Sequence, residues 1–162
     1  MSSNTSVAGA DGAGPSHPAP GKGGRRATVR EGEYLTRAAR HPEGHVPDGA
    51  SARLVEAMLM EGWIYREDGD GFRLEPEEAL AFRGRTAWKI TPDGRWAALG
   101  LRQRVLLAGV RAGGRPLACD DVRAKALVEM HLAEAVGDAV GLTVLGDELV
   151  RAFVTSRDGY QP

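Results

Sequence analysis

Apolar positions along the chain recur with a helical period in some stretches and alternate or cluster in others. Between residues 49 and 61, Leu54, Val55, Met58 and Leu59 make one apolar stripe, while Ser51, Arg53, Glu56 and Met60 point the other way. That pattern predicts an amphipathic helix. Gly62 supplies its stop, and Trp63-Ile64-Tyr65 has strand character. Glu67-Asp68-Gly69-Asp70-Gly71 is turn chemistry, because glycines accept positive φ and aspartates bond their own backbone. Phe72-Arg73-Leu74 is read as the return strand and Trp88-Lys89-Ile90 as a third. Thr91 followed by Pro92 marks a capped helix start. Pro76 followed by Glu77 and Glu78 predicts a short helix within 75–83 that interrupts the hairpin.

The flanks read in the same way. Tyr34, Leu35 and Ala38 predict a helix over 31–40, broken by His41-Pro42-Glu43-Gly44. Leu101, Val105, Leu106 and Ala108 predict a helix over 101–110. Val122, Leu127, Val128, His131 and Leu132 predict another over 120–135, followed by a short strand at 140–142 and a last helix to about Phe153. The two halves also resemble each other. Leu54-Val55-Glu56 with Leu59 matches Leu127-Val128-Glu129 with Leu132, and Thr91-Pro92-Asp93-Gly94 matches Thr143-Val144-Leu145-Gly146. The second copy lacks most of the hairpin and its insertion.

Ser51, Arg53-Leu54-Val55, Leu59, Gly62-Trp63-Ile64, the Asp68-Gly69 turn and Ile90-Thr91-Pro92-Asp93-Gly94-Arg95 together resemble a winged helix-turn-helix domain, in particular the core of MarR-type transcriptional regulators. The resemblance implies an α+β chain, mainly α with small β-hairpins. It would comprise tandem winged-helix units at 31–100 and 101–155, the second with a reduced or missing wing. Residues 1–30 then form a disordered basic tail and 156–162 a frayed end. A standard helix-turn-helix carries one more helix in the short gap before residue 49, so either a single turn or a reduced variant is expected there.

Charge qualifies that picture. The 162 residues sum to −1, but residues 1–30 hold Lys22, Arg25, Arg26 and Arg30 against Asp11 alone, or +3, which leaves −4 on the rest. A duplex-DNA partner would therefore be met by the tail or a local patch. In winged-helix regulators the helix before the wing enters the major groove and wing arginines touch phosphates. The resemblance thus nominates Ser51, Arg53, Arg66, Arg73, Arg85 and Lys89 as DNA-binding residues, and the basic tail adds Arg25 and Arg26 as a flexible arm on phosphates, with a solvated junction as the competing reading. The wing also carries Glu67, Asp68, Asp70, Glu75, Glu77 and Glu78, so cross-strand ion pairs are the competing reading for its arginines. The alternative function is a protein-interaction adaptor, or a homodimer, whose contacts include one of Trp63, Trp88 and Trp96.

The chemistry of enzymes finds no foothold. His41 and His45 have a metal-pair spacing, but Pro42 and Gly44 break the helix that would present them, and a zinc site takes three or four ligands. The single cysteine, Cys119, excludes an internal disulfide framework and stands beside Asp120 and Asp121, which disfavour a thiolate. There is no phosphate loop, dinucleotide fingerprint or nucleophile elbow. The expectation is a non-catalytic cytoplasmic protein with no cofactor, metal or membrane partner, since no apolar run approaches the ~18 residues of a membrane span.

Overall fold

The computed structural model describes residues 25–113 and 117–154; the tail before residue 25, with Lys22, and the end from 155 lie outside the described residues. Local capping sets the first elements. Thr28 opens α1 (Val29–Arg40) with a capping box: its hydroxyl accepts the Glu31 amide, and the Glu31 carboxylate accepts the Thr28 amide at 2.8 Å. Ser51 caps α2 (Ala52–Met60) by accepting the Leu54 amide at 3.3 Å. Gly62, at φ +71°, turns the chain out of α2 into β1 (Ile64–Arg66), a left-handed step that glycine takes without penalty.

β1 pairs antiparallel with β2 (Trp88–Ile90) in the register Ile64↔Ile90, Tyr65↔Lys89, Arg66↔Trp88. The return strand expected at 72–74 is reduced to a single bridge, Glu67↔Arg73, beside a turn in which the Asp68 carboxylate accepts the Asp70 and Phe72 amides. The acid-rich turn forms as expected, but the partner of β1 comes from beyond the insertion. That insertion holds the short helix α3 (Pro76–Ala81). Between α1 and β1 the chain makes α2 and no further helix. Residues 44–46 instead lie along β2, with the Val46 amide donating to Trp88 O and the Ile90 amide to Gly44 O, both at 2.8 Å. The gap is thus filled by a bridging segment along β2 and not by a helix.

α4 (Pro92–Ala98) follows β2 and packs along α1. Then come α5 (Leu101–Arg111), α6 (Val122–Glu129), β3 (Ala133–Val136), β4 (Ala139–Leu142) and α7 (Val144–Val154). The helix expected over 120–135 stops at Glu129, and its last third is strand β3 paired with β4 around Gly137. Here tertiary pairing overrides the helical period. Among the described residues the result is a mixed α and β chain of seven helices and two small antiparallel sheets. Leu35, Met58, Ile64, Leu107, Leu127, Leu132 and Leu149 are buried in one apolar core shared by both halves.

The two halves share one connection in detail. Thr91 donates its amide to Trp63 O and its hydroxyl to Gly62 O, and accepts the Gly94 amide. Thr143 does the same with Leu132 O, His131 O and the Gly146 amide. Thr91 therefore corresponds to Thr143, as the sequence suggests, and Gly62 corresponds to His131, which holds φ +60°. This pairs Met58 with Leu127, one helical turn away from the match read in the sequence. An apolar stripe repeats every ~3.6 residues, so its register is degenerate by one turn until the hydrogen bonds choose.

Candidate nucleic-acid interface

α2 exposes Ser51, Arg53, Glu56 and Met60, and buries Met58 and Leu59. Its polar face is that expected from the sequence, with the Ser51 hydroxyl already committed to the cap. Tyr65, Glu67, Lys89 and His45 share the outer face of the first sheet. There Lys89 donates to Glu67 at 2.6 Å, and Arg73 lies over the Tyr65 ring at 4.8 Å. The bond from Lys89 to Glu67 raises the ammonium pKa, and burial raises that of the Tyr65 phenol.

Arg66 stands apart from its neighbours. Its side chain turns inward, stacked against Phe82 and Trp88. All three guanidinium nitrogens donate to main-chain oxygens: Nε to Thr86 at 3.0 Å, Nη1 to Phe82 at 3.0 Å and Nη2 to Gly84 at 2.6 Å. The loop meets these donors with main-chain carbonyls and no carboxylate, so the arginine fork organises the insertion and closes the C-terminal end of α3. Nominated for phosphate contact, Arg66 instead directs all three of its nitrogens to carbonyls of its own chain.

Arg25 is also committed. It donates to both Glu31 oxygens, at 2.7 and 2.5 Å, and to Glu61 at 3.0 Å, and it lies over the Trp63 ring at 5.0 Å. The pair with Glu31 raises the guanidinium pKa and, with help from Thr28, holds the buried Glu31 carboxyl down to about 2. Arg25 and Lys89 are therefore tied into ion pairs. Arg26, Arg53, Arg73 and Arg85 are exposed. The structure thus divides the nominated set into four outward cations, three engaged ones and a capping serine.

One group escaped the sequence reading. Arg30, Glu33, Arg37 and Arg40 lie along the exposed side of α1, continued by Arg26 just before it. Their i, i+3, i+4 spacing was visible in the sequence, but the reading of this helix followed only its apolar face. Arg40 pairs with Glu129 at 3.0 Å, and the His131 ring meets Arg40 O at 3.1 Å, so this face also touches the second half. Shallow grooves run beside α1, floored by Val29, Gly32 and Thr36.

The tryptophans do not provide an exposed anchor. Trp63 is buried, Trp88 is half-buried against Arg66, and Trp96 is half-buried and stacked on Phe153 at 5.0 Å. Among the described residues no group of three or more His, Cys, Asp or Glu is placed to hold a metal ion, and no helix is long and apolar enough to cross a membrane. His41 and His45 stack on each other at 4.7 Å in the loop after α1. No family model, curated protein or solved structure matches the chain.

Proposed function

We propose that this protein is a non-catalytic, cytoplasmic duplex-DNA-binding protein of two winged-helix units, acting as a transcriptional regulator or accessory DNA-binding factor through the first unit. The observation that carries the reading is the order α2–β1–α3–β2–α4, in which β1 and β2 pair directly, with Arg53 outward on α2 and Arg73 and Arg85 outward on the segment joining β1 to β2. In this arrangement the N-terminal end of α2 enters the major groove, the arginines of the insertion take phosphates, and Arg26 heads the basic tail. The repeated Thr-x-x-Gly connection supports reading the second half as a short-winged copy. A salt titration with random duplex DNA tests the proposal. Wild type binds at low salt, and Arg53→Ala/Arg73→Ala/Arg85→Ala flattens the log K against log salt slope by about 0.9 for each phosphate no longer neutralised. Its melting curve stays near wild type. An unchanged slope, or no binding at low salt, would overturn the reading.

A second reading is favoured by a different observation. Leu101, Val105, Val122, Val136 and Val144 of the second half are large, apolar and exposed. They suit a protein contact, with a second copy or another chain, and take the place of the tryptophans as anchors for an adaptor. Loss of DNA binding combined with self-association that fails on Val122→Asp/Val144→Asp would favour it.

A further inference from the structure

The outer face of α1 is a basic surface that the winged-helix reading leaves unused. Arg30, Arg37 and Arg40 fall on one stripe, with Glu33 the only acid among them. From Arg30 to Arg40 the stripe runs about 15 Å along the helix at ~1.5 Å per residue. This concentration occurs in a chain whose net charge is −1, so it is a local exception and not a general basic character. Arg40 is bound to Glu129, but both side chains are substantially exposed, at 51% and 40%. Exposed ion pairs of this kind hold loosely and exchange partners at small cost.

The stripe is also continuous with α2. Tyr34 stands on α1 between Arg30 and Arg37, and its hydroxyl approaches to 3.9 Å of where a Cβ at Gly49 would lie. Two residues further on, Ser51 caps α2, and Arg53 follows in its first turn. One surface therefore leads from the arginines of α1 across Tyr34 to the exposed N-terminal end of α2. The groove between Arg30 and Arg37 is shallow and lined by Val29, Glu33 and Tyr34, and the groove beside it adds Gly32 and Thr36. It suits a rod laid along it better than a small molecule enclosed by it. The cations are all arginine, whose fork bonds phosphate oxygens bidentately. A duplex strand presents a phosphate about every 3.4 Å of axis, so a backbone laid along 15 Å of helix brings several within reach.

We infer that the arginine face of α1 is a second phosphate-backbone surface, gripping duplex DNA beside the helix that enters the groove. The inference rests on the DNA-binding reading and adds to it a contact that the first set of arginines does not include. The test uses the full chain and random duplex DNA, and measures the salt slope for wild type, for Arg30→Gln/Arg37→Gln and for Arg53→Ala/Arg73→Ala/Arg85→Ala. Thermal melts check that each variant folds. Arg40 is left in place to preserve its contacts with the second half. The α1 variant is expected to bind at least tenfold more weakly at low salt, with a slope shallower by roughly 2. If both variants flatten, both surfaces stand. A slope flattened by the α1 variant alone supports this surface and overturns the role given to α2 and the insertion. A slope flattened by the second variant alone overturns this surface and leaves that role intact. Unchanged slopes in both overturn both. Competition by poly-glutamate as effective as duplex DNA at equal charge would assign the stripe to an acidic polypeptide and overturn the phosphate assignment.

Discussion

At the scale of single residues, the fold depends on a few positions where only one chemistry fits. Gly94 and Gly146 begin equivalent helices, and a Cβ at either would overlap a carbonyl oxygen, that of Trp63 or of Leu132. Backbone cannot retreat as a side chain can, so Gly94→Ala and Gly146→Ala should each cost about 1–3 kcal/mol or more in denaturant melts. Gly109→Ala, exposed in the last turn of α5 with nothing within 4 Å, should instead stabilise by up to ~1 kcal/mol. Equal effects at the three sites would contradict the packing described. Glu31 adds a pH dependence. Hydrogen bonds from Arg25, then from Thr28, outweigh burial and hold its carboxyl at about 2 in the folded chain. A pKa lowered by folding contributes stability above the unfolded value of about 4.3 and loses it as pH falls toward the folded one. Because the Arg25 side chain is 41% exposed, the contribution is discounted to roughly 1–2 kcal/mol. Wild type should weaken between about pH 4.3 and 2 more steeply than Glu31→Gln in urea melts. Parallel curves would remove Glu31 from the account.

At the scale of elements, the β1–β2 insertion shows how one side chain can organise a segment with little core of its own. Among its described residues 67–87, Ala79 is the buried apolar one, and Arg66 holds the rest by bonds to Phe82, Gly84 and Thr86 and by stacking on Phe82. Arg66→Lys keeps the charge but loses the planar fork. It should therefore destabilise by about 1–3 kcal/mol and raise amide exchange selectively at residues 76–86. Unchanged exchange there would mean that the insertion is held by other contacts. The signals for α3 itself, Pro76 with Glu77 and Glu78, were legible, as were the cap Thr91 and the Asp68 turn. Strand β3 was not, because Ala133 and Leu132 continue the helical spacing of α6 and only pairing with β4 removes them from it.

At the scale of the whole molecule, the halves are joined by apolar and polar contacts together. Trp96 of α4 stacks on Phe153 of α7, with rings 6° from parallel. Arg40 meets Glu129, and His131 meets the last carbonyl of α1. A double-mutant cycle of Trp96→Ala and Phe153→Ala should return a coupling of ~0.5–1.5 kcal/mol. The chain should also melt in one transition, since both halves contribute to one core. Two separate transitions, or no coupling, would make the halves independent folding units.

The sequence by itself determined what depends on neighbours a few residues apart: helix stripes, caps, the turn and the paired Thr-x-x-Gly starts. These are governed by backbone hydrogen bonds and side-chain periodicity within a single turn or hairpin. The tertiary structure alone decided which arginines face outward, which half-repeat register holds and where β3 replaces helix. Arg25 reaches Glu61 and Arg66 reaches Gly84 across long stretches of chain. Whether a cation is spent internally or offered to a partner is set by such distances in space, which the order of residues does not state.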